Sequence, residues 1–137
     1  LDTDYLCLAV SPQHRFAGRP EVSLEEVKKE KLILRPTGAG TRIQFDSYLL
    51  NHSDSIRNFD VMMELDNLAT IKELVSLNLG VTIVSRSACR EDEKAGRLVV
   101  VPFEDARMTR EVNLVYHRDF SHPDVPDDLR RIYNSLV

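Results

Sequence analysis

Apolar positions along the chain fall into two rhythms, a continuous one and a helical one, and their alternation predicts the architecture. Tyr5-Leu6-Cys7-Leu8-Ala9-Val10 is an unbroken apolar run closed by Ser11-Pro12, the mark of a buried strand ended by a turn. Ser23-Leu24-Glu25-Glu26 has capping-box spacing, which predicts a short charged helix from about Leu24 to Lys29. Lys31 to Arg35 follows as a second strand, ended by Pro36. Beyond the small residues Thr37-Gly38-Ala39-Gly40-Thr41, the spacing of Ile43, Phe45, Tyr48, Leu49 and Leu50 predicts a helix with one apolar face. Phe59 to Leu65 reads as a third strand, and Leu68, Ile71, Leu74 and Val75 predict a helix from Leu68 to Leu77 stopped by Gly80. Val81 to Val84 predicts a fourth strand, followed by a helix from about Arg86 to Ala95 that Gly96 ends. Leu98 to Val101 and Val112 to Tyr116 predict the last strands, and Leu129, Ile132, Tyr133 and Leu136 a final helix.

Strands and helices that alternate in this way, several of the strands being apolar throughout, predict an α/β fold: a mostly parallel sheet with helices on both faces. Ligands of such folds sit beyond the carboxyl ends of the strands, so the strand-to-helix loops are where function is sought. Three of them carry small polar residues. In Thr37 to Thr41, Gly38 and Gly40 let the backbone approach a ligand, while Thr37, Thr41 and the free amides of the next helix turn offer donors to an anion. The same glycines also serve a plain strand-to-helix turn. Asp66 or Asn67 can cap the helix that starts at Leu68, with Thr70 in its first turn, and Ser85 with Arg86 follows the fourth strand.

Composition narrows the class. Of 137 residues, 42% are hydrophobic and 29% charged, which excludes a disordered chain and suits one packed domain. With 18 Lys plus Arg against 22 Asp plus Glu the net charge is -4, so the chain reads as a poor stand-alone binder of nucleic acid, whose phosphates call for a basic face. Its two cysteines, Cys7 and Cys89, lie outside any Cys-x-x-Cys and read as reduced thiols of a cytoplasmic protein. No run approaches the roughly 18 apolar residues of a membrane span, so no membrane is expected as partner. Catalytic constellations are lacking too. His117-Arg118-Asp119 copies a kinase catalytic loop without its companion motifs, and His117 and His122 have no further ligands at metal-site spacing. No enzyme activity, cofactor or metal is expected.

The ordered set of segments resembles the effector-binding domain of LysR-type transcriptional regulators, which have the type 2 periplasmic-binding-protein fold. The resemblance rests on Leu6 to Val10 with the turn Ser11 to Arg19 and Val22 to Glu26, and on Leu32 to Pro36 with Thr37-Gly38-Ala39-Gly40-Thr41-Arg42. Glu64 to Val75, Leu79 to Ser85, Gly96 to Val101 and Arg110 to Tyr116 complete it. One departure is Asn78, where the family often has Gly; Asn tolerates the left-handed geometry of that turn. The resemblance implies a two-lobed domain of which residues 11–106 form the second lobe, 5–10 and 112–116 the two crossing strands, and 125–137 the last helix of the first lobe. The chain then reads as truncated, the rest of the first lobe and the DNA-binding winged helix-turn-helix being absent, in keeping with Leu1 in place of an initiator methionine. An effector, a small anionic metabolite, is expected to contact Thr37, Gly38, Ala39, Gly40, Thr41, Asn67, Leu68, Thr70 and Ser85. The chain is expected to self-associate and to meet DNA only through the missing domain. A solute-binding protein of periplasmic type and an α/β interaction module are the competing readings; the residues that precede Leu1 discriminate among them.

Overall fold

Leu6 to Val10 are each no more than 1% exposed, which a strand achieves only when both of its faces are covered. In the computed structural model, which describes residues 4–104 and 109–110, they form the inner part of strand β1 (Asp4–Val10). The chain continues through α1 (Leu24–Val27), β2 (Lys31–Leu34), α2 (Gly40–Asn51), β3 (Asp60–Glu64), α3 (Leu68–Ser76), β4 (Val81–Ser85), α4 (Arg90–Lys94), β5 (Val99–Pro102) and β6 (Thr109–Arg110). The capping box is present: Ser23 accepts from the Glu26 amide, and the Glu26 carboxylate accepts from the Ser23 amide.

The sheet runs β3-β2-β4-β1-β5, with β6 paired to the start of β1. β2 is parallel to β3 and to β4, whereas β1 is antiparallel to β4, β5 and β6. The α/β class with helices on both faces therefore holds, in a mixed rather than mostly parallel sheet. An apolar run reports burial on two faces, and a central antiparallel strand meets that condition as well as a parallel one does.

Alternate residues of each strand feed two cores. Leu6, Leu8, Val10, Leu32, Leu34, Val81 and Ile83 pack under Phe45, Tyr48 and Leu49 of α2, with Phe16 and Val22. Cys7, Ala9, Ile33 and Val84 pack on the other face against Ile71 and Val75 of α3, with Cys89 and Leu98. Each such side chain contributes about 1.5–3 kcal/mol by leaving water, so the two helices hold the sheet between them. Buried Thr82, the polar residue of this second face, donates its hydroxyl to the Ile33 carbonyl at 2.6 Å.

Three local expectations are corrected. The helix from Leu68 is stopped by Asn78, whose φ of 60° is the left-handed turn, and not by Gly80. Gly80 is needed for another reason: a Cβ there would lie 3.0 Å from both the Lys31 carbonyl oxygen and Ile33 Cδ1, where β4 enters beside β2. Ile43 and Leu50 do not belong to the buried face of α2; they are 53% and 76% exposed, and Arg42 takes the place at its head. Arg86 to Ala95 is not one helix but a tight 3-10 turn over Arg86–Cys89 followed by α4. The turn carries Cys89 into the core, and the Ala88 carbonyl, which a continuous helix would offer to its own amides, accepts from Lys72. Gly96, at φ 74°, ends α4 as expected. The strand expected over Val112 to Tyr116, the final helix, and the histidines of that region lie outside the described residues.

Candidate functional site

β3, β2 and β4 are neighbours and parallel, so their carboxyl ends lie along one edge of the sheet. The chain leaves that edge through residues 35–39 after β2, through 65–67 after β3, and at Ser85, the last residue of β4. Every expected contact residue, Thr37, Gly38, Ala39, Gly40, Thr41, Asn67, Leu68, Thr70 and Ser85, thus follows one edge. Because β1 runs the other way its beginning reaches the same place: Leu6 is paired with Ser85, and Arg86 donates to the Tyr5 hydroxyl, which raises the guanidinium's pKa.

The two helices that start there do so differently. α2 is preceded by Ala39, extended at φ -74° and ψ 143°, with no side chain able to accept from the first turn and no acidic residue in it. Its first backbone bond runs from the Ile43 amide to the Ala39 carbonyl at 2.9 Å. Helix geometry therefore leaves the amides of Gly40, Thr41 and Arg42 pointing outward without helical acceptors. α3 is capped by its own chain: Asn67 Oδ1 accepts from the Thr70 amide at 3.2 Å. Of the two caps weighed for this helix, Asn67 rather than Asp66 is the one formed. Thr37, Gly38, Gly40, Asn67 and Thr70 are exposed, Thr41 and Leu68 are half-buried, and Ser85 is buried with its hydroxyl 3.5 Å from that of Ser87. A Cβ at Gly38 would meet nothing within 4 Å, so the turn itself does not require that glycine.

Sequence reasoning placed Arg42 in the turn motif but gave it no role. It is 7% exposed, and its guanidinium bonds to three partners through Nε and Nη1. Nη1 donates to the Arg35 carbonyl at 3.1 Å and to Glu64 Oε2 at 2.9 Å, and Nε to both Asp46 oxygens at 3.2 Å. Burial works against the charge, but the bonds to Glu64 and Asp46 outweigh it and the pKa is raised. Glu64 is available to it because of a bulge. Leu32 pairs with Val61 but Ile33 pairs with Met63, so the extra residue Met62 brings Val61 and Glu64 onto one face, that of α2. No local pattern announces this. Arg35 makes a single side-chain bond, to Asp66 at 3.2 Å, and its buried Nε has no acceptor.

Two grooves of about 510 and 500 Å³ lie apart from loop 37–41 and Ser85. One is lined by Val22, Leu24, Tyr48 and Phe103, the other by Leu68, Lys72, Asp92 and Arg97. Burial pushes the Cys89 thiol up to about 11, so it is neither nucleophile nor thiolate ligand at neutral pH. Among the described residues no group of three or more His, Cys, Asp and Glu is placed to hold a metal, and no helix is long and apolar enough to cross a membrane.

A mixed sheet covered on both faces, with strand-to-helix loops gathered at one edge, is an architecture that domains of the type 2 periplasmic-binding-protein class share with other α/β folds. The chain belongs to the LysR substrate binding domain family, whose profile matches residues 1–133. It is 34% identical over 120 residues to an uncharacterized HTH-type transcriptional regulator of Methanocaldococcus jannaschii, covering 88% of this chain and 40% of that protein. The chain thus spans well under half of that relative's length. Two solved structures have the same fold. The effector binding domain of QuiR in complex with shikimate has a TM-score of 0.67 at 15% identity, over 99% of this chain and 64% of that one. The regulatory domain of CcmR from Synechocystis PCC6803, in complex with 2-PG, has a TM-score of 0.66 at 14% identity, over 98% and 63%. The domain family is regulatory and the relative is named a transcriptional regulator, not an enzyme.

Proposed function

We propose that this chain is the effector-sensing part of a LysR-type transcriptional regulator and that its effector is a small anionic metabolite held at the carboxyl edge of the sheet. The observation that carries the reading is the uncapped start of α2: outward amides at Gly40, Thr41 and Arg42, no acidic residue in the first turn, and hydroxyls at Thr37 and Thr41 beside them. Such a helix end attracts an oxyanion through its amide donors and its dipole. Gly38, with open space around it, lets the ligand come close to the backbone. Thr70, Leu68 and Asn67 at the start of α3 and Ser85 at the end of β4 complete the wall offered by this lobe, residues 11–106. Residues 5–10 lead toward the other lobe, which supplies the opposite wall.

Binding that favours one arrangement of the lobes shifts the population of quaternary states. In a self-associated, cytoplasmic protein that shift changes how DNA-binding domains carried upstream of this segment sit on an operator. That shikimate and 2-PG occupy two structural relatives supports a small-molecule effector here without naming it.

Thermal-shift screening of the intact protein against small carboxylates and inorganic oxyanions, followed by titration calorimetry, tests the reading. A ligand at a hundred times its Kd adds about 2.7 kcal/mol of stability, a rise in Tm that is readily measured. Thr41→Ala is expected to weaken a hit about tenfold, the cost of one hydrogen bond to a charged group. An affinity unchanged by that substitution rejects the site.

A further inference from the structure

We infer that the Arg42 side chain has a positioning role for this site: the guanidinium does not touch the ligand, but sets the loop and helix start that do. The inference rests on the proposed anion-binding role of the α2 start and goes beyond it by saying what holds that start in place. The Gly-Ala-Gly-Thr-Arg sequence puts an arginine where a counter-charge for an anion is wanted, but the geometry spends that charge elsewhere. One buried guanidinium ties three separate pieces of chain: the Arg35 carbonyl, where the loop leaves β2; Glu64, at the end of β3; and Asp46, one turn further along α2. Between the first and third of these anchors hangs the loop 36–41, whose own backbone bond is Ala39 amide to Pro36 carbonyl at 3.0 Å.

With no side-chain cap at Ala39, only the backbone bonds Ala39 to Pro36 and Ile43 to Ala39 act locally on the direction in which Gly40 to Arg42 present their amides. The clamp does so from outside the helix. It needs the fork of an arginine, because a lysine ammonium cannot serve a carbonyl, a carboxylate on one strand and a carboxylate on the helix in fixed directions together. It also needs the bulge at Met62, without which Glu64 would face away from α2. The ligand's electrostatic partner in this lobe is therefore the helix end itself, aimed by Arg42.

Arg42→Lys, Glu64→Gln and the double variant of the intact protein test this by hydrogen exchange without ligand and by calorimetric titration with inorganic sulfate. Arg42→Lys is expected to speed exchange in residues 36–43 about tenfold while 66–71 stay within about twofold, and to weaken sulfate about tenfold. Glu64→Gln, whose partly exposed side chain makes misfolding a small risk, is expected to give about threefold in both. Added to Arg42→Lys it should change little more, since Glu64 acts through Arg42. Exchange in 36–43 that is unchanged, or that rises equally over the whole domain, overturns the inference, and so do fully additive effects. A protein that binds no sulfate, yet shows the local exchange response, defeats the anion reading of the site and leaves the clamp standing.

Discussion

Two helices start side by side at the carboxyl edge of this sheet, and they are secured in opposite ways. α3 is closed locally: Asn67, its own N-cap, accepts from Thr70 three residues on. α2 has Ala39 at that position and no side-chain cap; its orientation comes from Arg42 gripping β2, β3 and Asp46. A capped start spends its amides on itself and gains stability. An uncapped start held from a distance keeps its amides for a ligand. On the proposed reading, the difference lets two similar strand-to-helix turns serve different ends, one mainly structural and one recognitive.

The largest effect that breaks the comparison is expected from Arg42→Met, which keeps volume and removes the clamp. Glu64, Asp46 and the Arg35 carbonyl lose their shared partner, at a cost of about 3 kcal/mol, reduced from the fully buried case by the exposure of Glu64. Urea unfolding with an unchanged m-value is the measure, and a loss under about 1 kcal/mol would show that the clamp is not a stabilising feature. Exchanging the two designs comes next. Asn67→Ala should cost about 1 kcal/mol and weaken anion binding at α2 by no more than about threefold, while Ala39→Asp should gain about 0.5–1 kcal/mol and abolish it, by putting a carboxylate on the same amides. A variant Ala39→Asp that still binds sulfate would place the anion elsewhere.

The smallest effect involves a third helix start. In α1 the Glu26 carboxyl is held down to about 2, from an ordinary 4.5, by its hydrogen bond with Arg19 and then by the Ser23 amide. A depressed carboxyl contributes stability that is present above pH 4.5 and lost as pH falls toward 2. Asp54, held down to about 2 by Lys28 and by Asn58, adds to the same acid loss. The Asn67 cap of α3 does not titrate, so amides of 24–28 should lose protection in that window before those of 68–72, as hydrogen exchange at stepped pH would show. Simultaneous loss would mean that the start of α1 does not open by itself.

Features that depend on neighbours in sequence were legible. The capping box at Ser23 and Glu26, the Asn67 cap and the Gly96 stop each need only residues within a turn of one another. The stop at Asn78 was within reach, since Asn is the residue after Gly that best tolerates positive φ, but Gly80 drew the assignment. Its absence of a side chain answers to Lys31, a strand away. The face of α2 was read correctly at Phe45, Tyr48 and Leu49 and wrongly at its margins, for the same reason. Ile43 and Leu50 fit the apolar count, yet the buried stripe runs through Arg42, Phe45 and Leu49, because ion pairing with Glu64 turns the arginine inward. The loops of the candidate site were found from the rule that ligands gather at strand ends; the residue that aims one of them was not, since its partners lie up to 22 positions away.

Local spacing, by itself, was enough to set the order of elements from β1 to β5, the two-sided burial of the central strands and the capping box of α1, and it narrowed the cap of α3 to Asp66 or Asn67. The antiparallel course of β1, the bulge that turns Glu64 toward α2, and the service of Arg42 as a clamp rather than a counter-charge were decided by the folded arrangement. Periodicity tells a residue that it is buried and toward which face. It does not tell which distant segment will meet it there, and direction, register and charge pairing are all properties of that meeting.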